Sequence, residues 1–241
     1  ALFRRRPRPL ALTDAGAKLA PVIRDGLEAF ATALASVGRG EDKLVLRVTT
    51  TNAFASRWLV PRLPLWSKTQ HDTPLEVIGT DRVVDLQAGD ADVAIRYATH
   101  RKLPKSGLAE ELVTDRFWPV YNPQKLPLER RLGRVADLRG HVLVHSYWAP
   151  ADLDPPTWQK WLALAGRRRR DVPEFKDMRH LSFREELHAI EAVIAGQGFG
   201  LLSDVLVAPE LAAGTLVKAF DLSLPGYGFH VVRRSDHPRE K

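Results

Sequence analysis

The 241 residues carry 36 Lys and Arg against 29 Asp and Glu, a net charge of +7, with 44% hydrophobic and 27% charged side chains. That balance excludes a disordered chain, which is poorer in apolar side chains, and the length suffices for one large domain or two smaller ones. The absence of cysteine excludes disulfides, thiolate nucleophiles and cysteine metal sites; no apolar run reaches the roughly 18 residues that span a bilayer and no signal-peptide stretch opens the chain, so a cytoplasmic protein is expected.

The chain starts with Arg4, Arg5, Arg6 and Arg8, broken by Pro7 and Pro9. Residues 1–40 account for +4 of the net charge, a local excess that suits a polyanion such as nucleic acid or a solvated end equally well. Over residues 13–37, Leu19, Ile23, Leu27, Phe30 and Leu34 recur at helical spacing with Val22 alongside, which predicts one amphipathic helix about 37 Å long. Thr13 or Asp14 can cap it, and Gly38 to Gly40 ends it. Its apolar stripe calls for a partner, either the same helix of a second subunit or its own domain.

After that break the pattern predicts a strand at 44–48, a helix at 52–68 containing Pro61 and Pro64, a strand at 75–78, a short helix at 83–87 and a strand at 92–95. Strands alternating with helices specify a parallel sheet, whose ligands lie beyond the carboxyl ends of the strands. The second half repeats this grammar: strands at 117–121, 142–145, 199–202, 216–217 and 229–232, and helices at 156–165 and 185–195. Two α/β lobes with a cleft between them account for the whole pattern.

Candidate ligand-binding residues follow from that placement. Thr49, Thr50, Thr51 and Asn52 lie between the first strand and the helix after it, where hydroxyls and free amides suit an anion or simply cap the helix. Arg57, one turn on, adds charge or lies on the surface. Arg96 and Tyr97 follow the third strand, offering a planar cation and an aromatic wall, or a surface ion pair. Thr80 and Asp81 occupy the equivalent place after the second strand. In the second lobe, His145 to Trp148 line the cleft or pack as a loop. The glycine-rich turn of Gly198 and Phe199 follows a helix and precedes a strand, the reverse of a dinucleotide loop, and offers backbone amides. Glu185, His188 and Glu191 share a helix face better read as solvated than as a metal site. Arg167 to Arg170 reads as a solvated run. No G-x-S-x-G, H-E-x-x-H or P-loop pattern is present, so no enzyme, metal or cofactor is expected.

LFRRRPRPLALTDAG at 2–16 resembles the wing and linker-helix start of LysR-type transcriptional regulators, F-x-R-x-x-R-x-x-x-L-T-x-A-G, through Phe3, Arg5, Leu12, Thr13, Ala15 and Gly16. FASRWLVPRLP (54–64), DRVVDLQAGDADVAIRY (81–97) and IAGQGFGLLS (194–203) resemble the effector domain of the same family, in particular the glycine-cleavage-activator subgroup. The resemblance implies a periplasmic-binding-protein-like, two-lobed α/β effector domain preceded by a long linker helix. Its implied parts are the end of a DNA-binding wing at 1–12, a dimerisation helix at 13–40 and an effector domain at 41–241. Lobe I takes about 41–118 and 233–241, lobe II about 119–232, with crossings near 118–121 and 230–232.

It further implies that a winged helix-turn-helix of about sixty residues precedes Leu2, so that the chain is a fragment. The expected partners are a small anionic or zwitterionic effector, DNA touched through its backbone by the four arginines, and further copies in a homodimer or homotetramer, with no membrane. The effector site expected is Thr50, Thr51, Asn52, Arg96, Tyr97, His145, Gly198 and Phe199. The alternative is a solute-binding protein of a transporter.

Overall fold

A computed structural model describes residues 2–4, 11–37, 45–69, 73–99, 103, 107–126, 132, 134–148, 154–167 and 171–234. Strands β1 (Phe3–Arg4) and β2 (Ala11–Leu12) form an antiparallel pair leading into α1 (Asp14–Val37). Thr13 caps α1, its hydroxyl accepting from the Gly16 amide at 3.1 Å. Gly16 is required there because a Cβ would run into the Leu2 carbonyl oxygen. Leu19, Val22, Ile23, Leu27 and Phe30 are all exposed on α1, Phe30 to 63%. Arg5, Arg6, Arg8 and residues 38–40 lie outside the described residues, as do the side chains of Arg4 and Leu34.

The remainder is built on one sheet. In lobe I, β3 (Leu46–Thr50) runs parallel to β4 (Leu75–Gly79) and β5 (Val93–Ala98). In lobe II, β7 (Val142–Ser146) runs parallel to β8 (Arg179–Phe183) and β9 (Phe199–Ser203). Two long antiparallel strands, β6 (Gly107–Tyr121) and β11 (Leu224–Arg234), join these halves, giving the order β4-β3-β5-β11-β6-β9-β7-β8, with β10 (Val217–Lys218) on β6. Residues 228–233 of β11 pair with β5, and 117–120 of β6 pair with β9. The passage between lobes therefore falls at Thr114 to Arg116 and at Pro225 to Gly228, where the β6–β11 register shifts.

Helices cover both lobes. Residues 52–69 are helical throughout but change pitch, from α2 (Asn52–Phe54) through a π turn (Ala55–Leu59) and a 3-10 turn (Val60–Arg62) to α3 (Leu63–Thr69). Pro61 and Pro64 cannot donate to the carbonyls one turn back, and the ladder re-forms around them. In place of the helix expected at 83–87 there is only a turn over 86–89. The Val84 carbonyl accepts from Arg96 at 2.6 Å and the Asp85 side chain accepts from the Gln87 amide at 2.8 Å, so these groups serve partners other than a helix.

Lobe II is covered by α4 (Trp158–Gly166), α5 (Glu186–Ile194) and α6 (Ala208–Ala213). Trp158 and Trp161 are buried with their indole N–H groups donating to Val144 and Leu222 carbonyls at 2.9 and 2.8 Å. A separate apolar cluster unites Phe54 of α2 with Ile190 and Val193 of α5 and Phe229 of β11. The two lobes thus meet through packed side chains as well as through the paired strands. No helix among the described residues is long and apolar enough to cross a membrane.

Candidate functional site

The carboxyl ends of β3 and β4 place Thr49 to Asn52 and Thr80 to Asp81 on the lobe I side of the cleft. Thr51 caps α2, its hydroxyl accepting from the Phe54 amide at 3.3 Å. That leaves the early amides of the helical stretch and the Thr51 hydroxyl proton available at a positive helix end. Thr49 and Thr50 are buried, and their hydroxyls have no hydrogen-bond partner among the described residues. Asn52 donates to Asp81 at 3.4 Å, and its amide oxygen lies where a side chain on Gly79 would crowd it.

Asp115 stands at the passage between lobes. One carboxylate oxygen accepts from the Tyr97 hydroxyl of lobe I at 3.0 Å, and the other from the Ser203 hydroxyl of lobe II at 2.8 Å. Tyr97 in turn accepts from the Tyr227 amide at 3.0 Å, tying both crossing strands to one network. Burial pushes the Asp115 carboxyl up to about 7, against the opposing effect of its two hydroxyl partners. Burial and the nearby Asp115 likewise raise the Tyr97 phenol. Glu186, in the first turn of α5, is pushed up to about 8 by burial and then by Asp115 and Asp81. Carboxyl groups from β6, α5 and the loop after β4 therefore share this region, and the charges of Asp115 and Asp81 disfavour ionisation of Glu186.

Arg57 links the lobes at their packed edge. From the π turn of lobe I it donates to the Leu206 carbonyl at 3.3 Å, contacts Glu191 of α5 at 3.4 Å and pairs with Glu210 of α6. Its role is a bridge between halves rather than a contribution to the cleft. Glu191 is thus an ion-pair partner, and no group of three or more metal-ligating side chains occurs among the described residues.

The structure puts the expected site residues in different places. Thr50, Thr51 and Asn52 lie at the carboxyl end of β3, and Tyr97 joins Asp115 between the lobes. Arg96 is committed to the Val84 carbonyl, so its guanidinium holds the 81–85 segment. Gly198 and Phe199 lie at the amino end of β9, whereas the cleft is at its carboxyl end near Ser203. Phe199 is fully buried against Tyr121 and His141, and a Cβ at Gly198 would strike the Val142 carbonyl oxygen. Both are packed at the amino end of that strand. His145 lines a cavity within lobe II. Asp115, Ser203 and Glu186 were not expected, because only the folded chain brings β6, β9 and α5 together.

Two parallel-stranded lobes joined by a pair of crossing strands, with polar groups of both lobes meeting at the strand ends, define a two-lobed ligand-binding domain. Residues 39–241 match the family model of the LysR substrate binding domain, and the chain belongs to that family. It is 30% identical over 233 residues to the glycine cleavage system transcriptional activator of Escherichia coli K12, covering 96% of this chain and 72% of that protein. It is 28% identical over 250 residues to the transcriptional activator AmpR of Providencia stuartii, covering 98% and 75%. Among solved structures, the effector domain of AmpR of Pseudomonas aeruginosa superposes with a TM-score of 0.62 at 25% identity, over 80% of this chain and 86% of that one. This chain is accordingly the effector-binding portion of a LysR-type transcriptional regulator with a periplasmic-binding-protein-like fold, not a transporter's solute-binding protein.

Proposed function

We propose that the effector is a small zwitterion bound between the lobes, its carboxylate at Thr50, Thr51 and Asn52 and its ammonium toward Asp115 and Glu186. The observation that carries this reading is the division of chemistry across the cleft. Hydroxyls and helix-end amides on one side suit an anion. The shared carboxyls on the other side suit a cation, which would favour their ionised forms. Arg96, turned to the Val84 carbonyl, is not offered to the ligand's carboxylate.

Binding acts on the protein only through a difference in affinity between lobe arrangements. Asp115 is suited to report that difference, because each of its oxygens is held by a different lobe. The exposed stripe of α1, with Leu19, Ile23, Leu27 and Phe30, would pair with the same helix of a second copy and carry the change to DNA-contacting parts of the intact regulator. The basic residues Arg4, Arg5, Arg6 and Arg8 would then touch the DNA backbone. No reaction is part of this role.

The test is a thermal-shift screen of amino acids, the corresponding amines and the corresponding organic acids, run on the wild type and on Thr51→Ala. A zwitterion should stabilise the wild type more than either half-charged analogue, and the variant should lose most of the shift. Equal stabilisation by the amine-free acid, or an undiminished shift in Thr51→Ala, would contradict the assignment.

A further inference from the structure

Three partly exposed aromatic rings stand beside Asp115 where the lobes meet: Tyr97 near the end of β5, Tyr227 in the β11 crossing and Trp148 after β7. Their centroids form a nearly equilateral triangle, 5.3 Å from Tyr97 to Tyr227, 6.3 Å from Tyr97 to Trp148 and 6.2 Å from Trp148 to Tyr227. The planes differ by 40°, 40° and 79°, so the rings fan out with Tyr97 in the middle instead of stacking. Each ring is held. The Tyr97 hydroxyl is fixed by Asp115 and the Tyr227 amide, the Tyr227 hydroxyl accepts from the Asp154 amide at 3.3 Å, and Trp148 meets the Phe117 ring edge-on at 5.7 Å. Trp148 also lines the lobe II wall of the cleft, where about 710 Å³ of open space adjoins it.

A cation seated about 3.5 Å above that triangle lies about 5 Å from all three centroids, inside the roughly 6 Å reach of a cation–π contact. Negative charge is available in the same place, since Asp115 is bonded to Tyr97 and Glu186 acts electrostatically on the Tyr97 phenol. Asp115 offers that charge more than an empty acceptor, because one of its oxygens already accepts from Tyr97 and the other from Ser203. A primary ammonium brings three N–H donors that must be met on leaving water. A fully methylated ammonium brings none and gains from the ring faces. The anion site is close by. Thr49 is level with Ala94, so Thr50 and Tyr97 emerge on the same face of adjacent strands, about 8 Å apart between Cα atoms, a separation that suits a short zwitterion.

Building on the zwitterion reading above, we infer that the cationic end of the effector is an N-methylated ammonium seated over Tyr97, Trp148 and Tyr227, so that the ligand class is a betaine. The three rings select for the methyl groups, and Asp115 and Glu186 supply the negative field behind them. Thr50 to Asn52 keep the carboxylate.

Ligand-observed NMR titrations of the 241-residue chain with glycine, glycine betaine and 3,3-dimethylbutanoate, the uncharged-headed carbon isostere of glycine betaine, test the assignment. Glycine betaine should bind saturably and at least tenfold more tightly than either of the others. Trp148→Leu should weaken glycine betaine at least tenfold, and Trp148→Phe, which keeps a ring, should retain most of the affinity. Equal affinity for glycine and glycine betaine would overturn the methylated class while leaving the zwitterion reading standing. Equal affinity for 3,3-dimethylbutanoate, or no saturable binding of glycine betaine, would overturn the cationic seat itself. Tetramethylammonium separates the two claims: it should bind at least tenfold more weakly than glycine betaine. If it binds as tightly, the carboxylate assignment at Thr51 fails and the ring assignment stands. Should Trp148→Leu fail to fold, the probe series on the wild type decides.

Discussion

Asp115→Asn replaces the carboxyl that joins the lobes by a group of the same shape that cannot ionise. Asp115 is 1% exposed and its carboxyl is raised from 3.8 to about 7 in the folded protein. On rising pH the unfolded chain therefore releases this proton first. The stabilisation linked to the proton is complete below about pH 4 and is lost as pH rises to about 7. At up to about 1.4 kcal/mol per pH unit, the stretch from pH 5 to pH 8 removes about 3 kcal/mol of this contribution from the wild type, and the variant, which has no such proton to release, loses none of it. Glu186, raised to about 8 partly by Asp115, moves the difference the same way. Urea unfolding of both proteins at pH 5, 6, 7 and 8 measures it, since other titrations largely cancel between them. Wild-type stability minus variant stability should fall by about 3 kcal/mol across the series. A difference that stays constant, or grows with pH, would refute the placement of Asp115 as a buried carboxyl without a cationic partner.

Phe54→Ala empties a fully buried position whose ring lies 4.3 Å from Phe229 and 4.9 Å from Trp58, and should cost about 3–5 kcal/mol in chemical denaturation. Arg57→Ala removes the bridge to Leu206, Glu191 and Glu210 and should lower stability by about 2 kcal/mol. The natural absence of cysteine lets a spin-label pair on the two lobes report whether the interlobe distance distribution broadens in that variant; an unchanged distribution would mean the bridge does not restrain the lobes. Thr51→Ala loses the cap on the Phe54 amide and should cost about 1 kcal/mol by thermal or urea unfolding, apart from any effect on ligand. Gly198→Ala puts a Cβ against the Val142 carbonyl and should lower stability by about 2 kcal/mol or more without touching the cleft; a fully stable variant would show that the β7–β9 contact is looser than described.

Elements with local signals were legible in the sequence, and elements made by distant pairing were not. The Thr13 cap, the apolar stripe of α1 and the short apolar strands announce themselves by residue type and period. Residues 107–116, with their acidic Glu110, Glu111 and Asp115, carry no such signal. They are a strand because β11 pairs with them along their length, a tertiary effect that outweighs local preference. Strand β8 was missed for a related reason: Arg179 and His180 are exposed at the sheet edge and give no apolar alternation. The cap chemistry at Thr51 is local and therefore legible in the sequence. Asp115 lies about seventy to ninety positions from Glu186 and Ser203, and no spacing rule links it to them.

The central claim is that one small zwitterion touches both lobes at once. Hydrogen exchange on the protein saturated with the most stabilising amino acid of the thermal screen tests it most directly. Protection should rise together at residues 50–54 in lobe I and at 186–190 in lobe II. Protection confined to one of these segments, or found only around His145 and His180, would contradict it.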